Sequence, residues 1–212
     1  MEIVTKKLAI LGAGGHAKVL ADCAKNLGWK EIFYFDDSFP KNSEGFNNLI
    51  GTISDFYNHI SEVSGVIVAI GDNRTRLNIT KKLISSNAPL VSLIHPKAFV
   101  SDNVMIGAGS VILSGANVQV DVRIGDAVII NNGSNIDHEC EVKSGAHISP
   151  GVAVAGNTSI GSCSWVGIGA SISQSLQIGD YSIIGAGAAV ISHIPNNSKY
   201  VGVPARIIHE QS

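Results

Sequence analysis

The chain has 212 residues, of which 45% are hydrophobic and 15% charged, and its formal net charge at pH 7 is −2. This composition is too apolar for a disordered chain, and without a basic stripe or aromatic platform it argues against nucleic-acid binding. No apolar run reaches the roughly 18 residues of a membrane span, and the first residues show no signal-peptide cleavage site, so a cytoplasmic protein is expected.

The cysteines and the other metal-binding residue types give no sign of a metal or disulfide framework. The three cysteines, Cys23, Cys140 and Cys163, are an odd number and form no C-x-x-C pair. Such a set fits a reducing compartment and predicts neither disulfides nor a zinc site. No other cluster has metal-ligand spacing, so we expect no metal.

The first part of the chain alternates between strand and helix patterns. Apolar runs predict strands, amphipathic spacing with a glycine stop predicts helices, and GTISDFYNHI predicts a further short helix. The predicted strands are KLAILGAG, KEIFYFDD, VSGVIVAIGDN and PLVSLIH, and the long helices are HAKVLADCAKNLG and RTRLNITKKLISSN. Alternation with short loops predicts a small parallel α/β domain, a Rossmann-like half domain, over residues 1–93.

A glycine-rich turn joins the first predicted strand to the first predicted helix. Its sequence, GAGGHA at residues 12–17, fits the G-x-G-x-x-A form of the dinucleotide fingerprint, and the acidic pair Asp36-Asp37 ends the next strand. Read alone, the pattern predicts bound NAD and an oxidoreductase. Two features oppose this hypothesis: residues 1–93 supply only half of a dinucleotide fold, and no catalytic Tyr-x-x-x-Lys follows.

After Pro96 the hydrophobic period changes to six. Every sixth residue from there is isoleucine or valine, and the residue four places later is mostly small. The sixteen aliphatic positions are Val100, Ile106, Ile112, Val118, Ile124, Ile130, Ile136, Val142, Ile148, Val154, Ile160, Val166, Ile172, Ile178, Ile184 and Val190. The residue after each is often Gly, Asn or Asp, types that tolerate positive φ, which predicts the turns there.

A period of six fits a parallel β-helix of hexapeptide repeats. Each hexad supplies one short strand and one turn, and three hexads make a triangular coil, so residues 94–212 would form about five coils. Cys140 occupies a small-residue position and is predicted to be a core residue.

One segment of the repeat carries charge where its neighbours do not. His138 and Glu139 come two and three residues after inward-facing Ile136, so we expect them outside the coil, and we expect His147 at a later corner. Histidine titrates near neutrality and suits a general base, and a carboxylate can hold the ring in one tautomer. Glu139 can reach His138 only if the chain turns between them.

These hexads, the α/β segment and the VGVPAR tail together resemble the left-handed β-helix acyltransferases. Within them the chain resembles the sialic acid O-acetyltransferase-like sugar acyltransferases, and is most similar to bacterial UDP-4-amino-sugar N-acetyltransferases of the kind that make N,N′-diacetylbacillosamine. The resemblance covers nearly all 212 residues. It implies a trimeric enzyme that transfers acetyl from acetyl-CoA to the 4-amine of a UDP-4-amino-4,6-dideoxy-N-acetylhexosamine, for a bacterial surface glycan or glycoprotein.

The resemblance also implies a role for particular residues. His138 would be the base and Glu139 would raise its basicity, in a cleft between neighbouring subunits. The acetyl-CoA contacts would come from His147 and from the backbone of Ile168 and Ala186, with glycines beside them that admit a ligand. The UDP-sugar would be bound by Gly14, Gly15, His16, Asp36, Asp37 and Gly71.

Three alternatives stay open on these residues. The first is an O-acetyltransferase acting on sialic acid or a related sugar. The second is an acyltransferase for a longer acyl chain or for a GDP- or dTDP-amino sugar. The third is a non-catalytic trimeric scaffold whose α/β domain senses a nucleotide.

Overall fold

The computed structural model describes residues 6–41 and 45–208. The chain divides into two compact units, one ending at Pro96 and one beginning at Lys97, where the sequence placed the change of period after residue 93. Within the described ranges, no helix is long and apolar enough to cross a membrane.

The first unit is a small parallel α/β fold. Its four-stranded sheet has the order β3-β2-β1-β4, and every pairing is parallel. The elements are β1 (Lys7–Leu11), α1 (Gly15–Asn26), β2 (Glu31–Phe35), β3 (Leu49–Gly51), β4 (Gly65–Val68), α2 (Asn73–Ser85) and β5 (Leu93–Ile94). The side chains of β1 from Leu8 to Leu11 are fully buried, as expected for a parallel strand covered on both faces.

The segment GTISDFYNHI does not form the short helix that its sequence predicted. Strand β3 ends inside it at Gly51, and two 3-10 turns follow, Asp55–Asn58 and Ile60–Glu62. The Asp55 carboxylate accepts hydrogen bonds from the amide and hydroxyl of Thr52, at 2.8 and 2.7 Å, and this closes a turn too tight to continue as an α-helix.

The second unit is a parallel β-helix of two-residue strands. Each strand pairs in parallel with the strand 18 residues later, as in the register Arg123, Glu141, Ser159. Three hexads therefore make one coil, and the hexapeptide β-helix is confirmed. Its strands are β6 (Phe99–Val100), β7 (Met105–Ile106), β8 (Val111–Ile112), β9 (Asn117–Val118), β10 (Arg123–Ile124), β11 (Ile129–Ile130), β12 (Asn135–Ile136), β13 (Glu141–Val142), β14 (His147–Ile148), β15 (Ala153–Val154), β16 (Ser159–Ile160), β17 (Trp165–Val166), β18 (Ser171–Ile172), β19 (Gln177–Ile178), β20 (Ile183–Ile184), β21 (Ala189–Val190), β22 (Lys199–Val201) and β23 (Arg206–Ile207).

The strands form three sheets, which are the three faces of a triangular prism. Face 1 carries β7, β10, β13, β16 and β19; face 2 carries β8, β11, β14, β17 and β20; face 3 carries β6, β9, β12, β15, β18 and β21. We call the edges corner A (faces 1 and 2), corner B (faces 2 and 3) and corner C (faces 3 and 1). Corner C therefore lies opposite face 2.

The aliphatic residue of each hexad points inward. Every one from Ile112 to Val190 is at most 4% exposed, while Val100 and Ile106 in the first coil are half-buried. Cys140 is also buried, and its thiol donates a hydrogen bond to the carbonyl of Ala155. Burial raises the pKa of this thiol, so Cys140 is a core residue and not an activated nucleophile.

The prediction of positive φ directly after each aliphatic residue was wrong. The left-handed residue lies two places further on, at every sixth position from Gly109 to Gly187, and half of these residues have side chains. The residues with predicted positive φ that lack it are Gly107, Gly125, Asn131, Asp137, Gly161, Gly167, Gly179 and Gly185. Glycine has another use at these positions: an added Cβ at Gly161 would overlap the backbone of Asp180 and Gly179 in the next coil.

We therefore expect Gly161→Ala to destabilise the β-helix by about 1–3 kcal/mol, because the added methyl group forces neighbouring coils apart. Chemical unfolding followed by the fluorescence of Trp165 in the adjacent hexad measures this effect. The control is Lys143→Ala, at the same corner position one coil earlier, where an exposed side chain is already accommodated. Equal stability of the two variants would contradict the packing role of Gly161.

Candidate active site

His138 and Glu139 form the turn between β12 and β13 at corner C. Glu139 has a φ of +58°, and this left-handed residue supplies the turn that the sequence could not show. Nδ1 of His138 lies 3.0 Å from Oε2 of Glu139. An ionised carboxylate can only accept, so Nδ1 carries the proton in this contact and Nε2 keeps its lone pair.

The backbone of this turn is fixed on both sides. The amide of His138 donates to the side chain of Asp137 at 2.8 Å, and its carbonyl accepts from the amide of Asn157 at 2.9 Å. The amide of Glu139 donates to the carbonyl of Val120 at 3.1 Å. The side chains themselves are 52% and 63% exposed, so their ion pair contributes little to stability and its effect is to orient the ring.

Corner C separates two surface grooves. The groove on face 1 has a volume of about 580 Å³ and is lined by Glu139, Arg123 and Glu141 among other polar residues. The groove on face 3 has a volume of about 330 Å³ and is lined in part by Asp137 and Asn135. The His138 turn thus stands between two concave surfaces, where substrates can reach it.

His147 does not lie at a corner, as predicted, but at the start of strand β14 on face 2. Its ring stacks on Trp165, with 6.0 Å between centroids and 10° between planes, because these residues are register partners on successive coils. The indole N–H of Trp165 donates to Ser149 at 2.8 Å. Since face 2 lies opposite corner C, one chain does not bring His147 and His138 together.

Ile168 and Ala186 occupy equivalent positions of corner B on successive coils. Both are exposed, and the carbonyl of Ile168 accepts a hydrogen bond from the amide of Gly187 at 2.8 Å. No acceptor in the described part of the chain receives the amide N–H of either residue. At corner A the equivalent amides are capped by side chains of the next coil, as at Ser162 and Asp180. Corner B therefore offers two open donors in line.

Packing explains two of the glycines that the resemblance placed beside the cofactor. An added Cβ at Gly167 would lie 2.7 Å from the amide nitrogen of Ala186, and one at Gly185 would lie 2.7 Å from Val201. The next coil thus requires glycine at both positions. Close approach of a ligand is not needed to account for them.

In the first unit, the glycine turn leads into helix α1. Gly14 is the N-cap and offers no side-chain cap to the first amides. An added Cβ at Gly14, Gly15 or Gly71 would meet nothing within 4 Å, and none of these three has positive φ. Neither packing nor backbone conformation requires glycine there, and the helix N-terminus is left open, as an anion site needs.

Asp36 holds this glycine turn in place. One oxygen accepts from the amide of Ala13 at 2.7 Å, and the other accepts from the amide and hydroxyl of Ser38 at 2.8 and 2.5 Å. Burial raises the pKa of Asp36, but these hydrogen bonds outweigh it and leave the pKa below its usual value. Asp37 is exposed and accepts one hydrogen bond, from the amide of Ile53 at 3.0 Å. Of the acidic pair, Asp37 has more free acceptor capacity for a ligand.

The sequence analysis missed Arg76, which is 1% exposed. Its guanidinium donates to the carbonyls of Ile70 and Gly71 at 3.1 Å each, and to the side chain of Asn73 at 2.8 Å. Arg76 thereby fixes the loop after β4 that contains Gly71. A signal was present: helical spacing puts Arg76 on the same buried stripe as Thr80 and Leu83.

His16 lies at the start of α1 and is partly buried. Burial and the positive charge of Arg76 lower the pKa of His16 to about 4, so the ring is neutral at pH 7. Its Nε2 atom is buried without a hydrogen-bond partner among the described residues. A neutral imidazole beside a helix N-terminus can donate or accept one hydrogen bond to a ligand without adding charge.

Across residues 6–41 and 45–208, no three His, Cys, Asp or Glu side chains are grouped in a way that could hold a metal ion.

Fold and site together define a left-handed β-helix acyltransferase with an N-terminal α/β unit. Residues 7–83 match the PglD N-terminal domain family. The acetyltransferase domain of PglB from Neisseria gonorrhoeae FA1090, solved with acetyl coenzyme A, is 39% identical with a TM-score of 0.91, and the match covers 96% of this chain and 100% of that one. A variant of perosamine N-acetyltransferase from Caulobacter crescentus, solved with CoA and GDP-perosamine, is 32% identical with a TM-score of 0.91 over 96% and 97% of the two chains.

A curated relative agrees with these structures. The UDP-N-acetylbacillosamine N-acetyltransferase of Bacillus subtilis (strain 168) is 35% identical over 113 residues, which are 51% of this chain and 52% of that enzyme, so the match spans about half of its length. The chain belongs to the hexapeptide-repeat sugar N-acetyltransferases.

The lowered pKa of His16 predicts a loss of stability in mild acid. Between pH 6.5 and 4 the unfolded chain binds a proton at His16 that the folded chain does not, so the free energy of unfolding falls by up to about 3 kcal/mol as the pH drops through this window. His16→Asn should remove this part of the pH dependence. Urea unfolding at several pH values, read from Trp29 in a Trp165→Phe background, measures it; parallel pH profiles of the two proteins would refute the prediction.

The two aspartates should differ in their contribution to folding. Asp36→Asn removes an acceptor from a three-bond site and should lower the stability of the first unit by about 1–3 kcal/mol, whereas Asp37→Asn should change it by less than about 1 kcal/mol. The same urea experiment compares them. A more damaging Asp37→Asn would show that Asp36 does not organise the turn.

Proposed function

We propose that this protein is an acetyl-CoA-dependent N-acetyltransferase whose acceptor is the 4-amine of a UDP-4-amino-4,6-dideoxy-N-acetylhexosamine, in bacterial surface glycan or glycoprotein biosynthesis. The observation that carries the proposal is the contact between Nδ1 of His138 and the carboxylate of Glu139. It lies on an exposed corner of a β-helix shared with N-acetyltransferases of nucleotide amino sugars.

His138 acts as the general base. Its Nε2 accepts a proton from the sugar amine as the nitrogen attacks the thioester carbonyl carbon. The tetrahedral intermediate then collapses, the carbon–sulfur bond breaks, and the proton on His138 is available to the departing thiolate. The products are an amide and CoA. Glu139 keeps the proton on Nδ1 and stabilises the imidazolium that forms in between.

Acetyl-CoA is bound by the opposite side of the prism. The His147–Trp165 stack on face 2 and the open amides of Ile168 and Ala186 at corner B supply a flat surface and two hydrogen-bond donors. Because corner C lies opposite face 2, these groups and His138 meet on one acetyl-CoA only if they come from different copies. This supports a homotrimer with its active sites between subunits.

The first unit binds the nucleotide part of the acceptor. The open N-terminus of α1 at Gly14 and Gly15 takes the diphosphate. His16, Asp37 and the loop at Gly71 provide hydrogen bonds to the ribose and the base, and Asp36 acts chiefly by holding the turn.

A second candidate has a specific observation in its favour. The perosamine N-acetyltransferase structure contains GDP-perosamine, so a GDP-4-amino sugar is the alternative acceptor. The groups that this chain presents near α1 serve either diphosphate equally well.

The decisive experiment is CoA release, followed with a thiol reagent, from acetyl-CoA and one acceptor at a time: UDP-4-amino-4,6-dideoxy-N-acetylglucosamine, its GDP-4-amino counterpart and a sialic acid. We expect turnover with the UDP amine and a 10²- to 10⁴-fold lower kcat in His138→Ala. Glu139→Gln should be affected less, because the base remains.

Other outcomes would move or overturn the proposal. Turnover with only the GDP-sugar would change the nucleotide and keep the mechanism, and turnover with only sialic acid would make the protein an O-acetyltransferase. No CoA release with any acceptor would favour a nucleotide-sensing scaffold. Full activity of His138→Ala would remove His138 as the base.

A further inference from the structure

Gly156 lies one coil beyond His138, at the same position of corner C. The equivalent residues at this corner, Val120, His138 and Gln174, are exposed, whereas Gly156 is buried. An added Cβ on Gly156 would lie 2.6 Å from both Cε1 and Nε2 of His138 and 3.1 Å from Cδ2. The three nearest atoms all belong to the imidazole, so the ring of His138 is what covers Gly156.

This glycine differs from the other crowded glycines of the β-helix. At Gly161 and Gly167 an added Cβ would meet the backbone of the next coil, so the fold requires glycine there. Gly156 has no positive φ and has no backbone atom among its three nearest neighbours. The fold itself would therefore accept alanine at position 156, and only the side chain of His138 would have to move.

We propose that Gly156 is a positioning residue that serves as the seat of the His138 imidazole; this role rests on the proposed function of His138 as the base. An exposed histidine on a turn can occupy several rotamers. Here the ring is held at two points, by Glu139 at Nδ1 and by the absence of a side chain at Gly156 along the edge that carries Cε1 and Nε2. A methyl group at position 156 would occupy the space of that edge and draw Nδ1 away from Glu139.

The test begins with Gly156→Ala in the CoA-release assay. We expect kcat to fall at least about 10-fold, since a displacement of about 1 Å in a catalytic group can cost 10²-fold, while the KM for acetyl-CoA and the melting temperature change little. The matched control is Gln174→Ala, one coil further along the same corner, which should retain the wild-type kcat.

A double-mutant cycle distinguishes seating of the ring from a direct effect on substrate or fold. In a His138→Ala background, Gly156→Ala should cause no further loss, because the ring that it displaces is gone. A further loss of the same size as in the wild type, or a wild-type kcat in the single variant, would overturn the proposal.

A second readout does not depend on turnover. In protein labelled at histidine, the Cε1–H resonance of His138, assigned from its absence in His138→Ala, should shift in Gly156→Ala while that of His147 stays in place. An unshifted His138 resonance would overturn the seat even if kcat fell. If the wild-type protein shows no turnover with any acceptor, the proposed function fails while this resonance still reports on the contact.

Discussion

The structure of the second unit depends on one constraint, which is the parallel backbone pairing of each strand with the strand 18 residues later. This pairing stacks the β-branched side chains in the interior and fixes which residues share a face or corner. The consequences reach the proposed active site directly. His138 and Gly156 touch because they are 18 residues apart, and His147 and Trp165 stack for the same reason.

The two histidines with perturbed or shared partners show how differently the two units control an imidazole. His16 is neutral because burial and Arg76 disfavour its charge, so its properties come from electrostatics. His138 is half exposed, where water screens charge strongly, and its orientation comes from the geometry of a left-handed turn and a glycine. A surface base can thus be oriented without the cost of burying it, provided that the backbone beneath it is rigid.

The sequence was sufficient for the hexad period, because an inward β-branched residue at every sixth position leaves a direct trace. It was not sufficient for the turns. Half of the left-handed positions are occupied by residues with side chains, such as Ala127 and Tyr181, since the coil above and below enforces a conformation that the residue itself does not favour. The location of the base was predicted, but its contact with Glu139 and the separation of His147 from it depend on those turns. Arg76 was missed because a buried arginine contradicts the usual reading of charge as solvent-facing.

The 18-residue register also limits how a protein of this kind can change in length. Removing one hexad between two coils would leave every inward aliphatic residue in phase, so the core would still form. Everything downstream, however, would be rotated by a third of a turn about the prism axis. A deletion between positions 138 and 147 would move the Trp165 platform and the corner B amides to other sides of the prism relative to the base. Folding therefore tolerates insertions and deletions in steps of six, whereas the arrangement of the site tolerates them only in steps of eighteen.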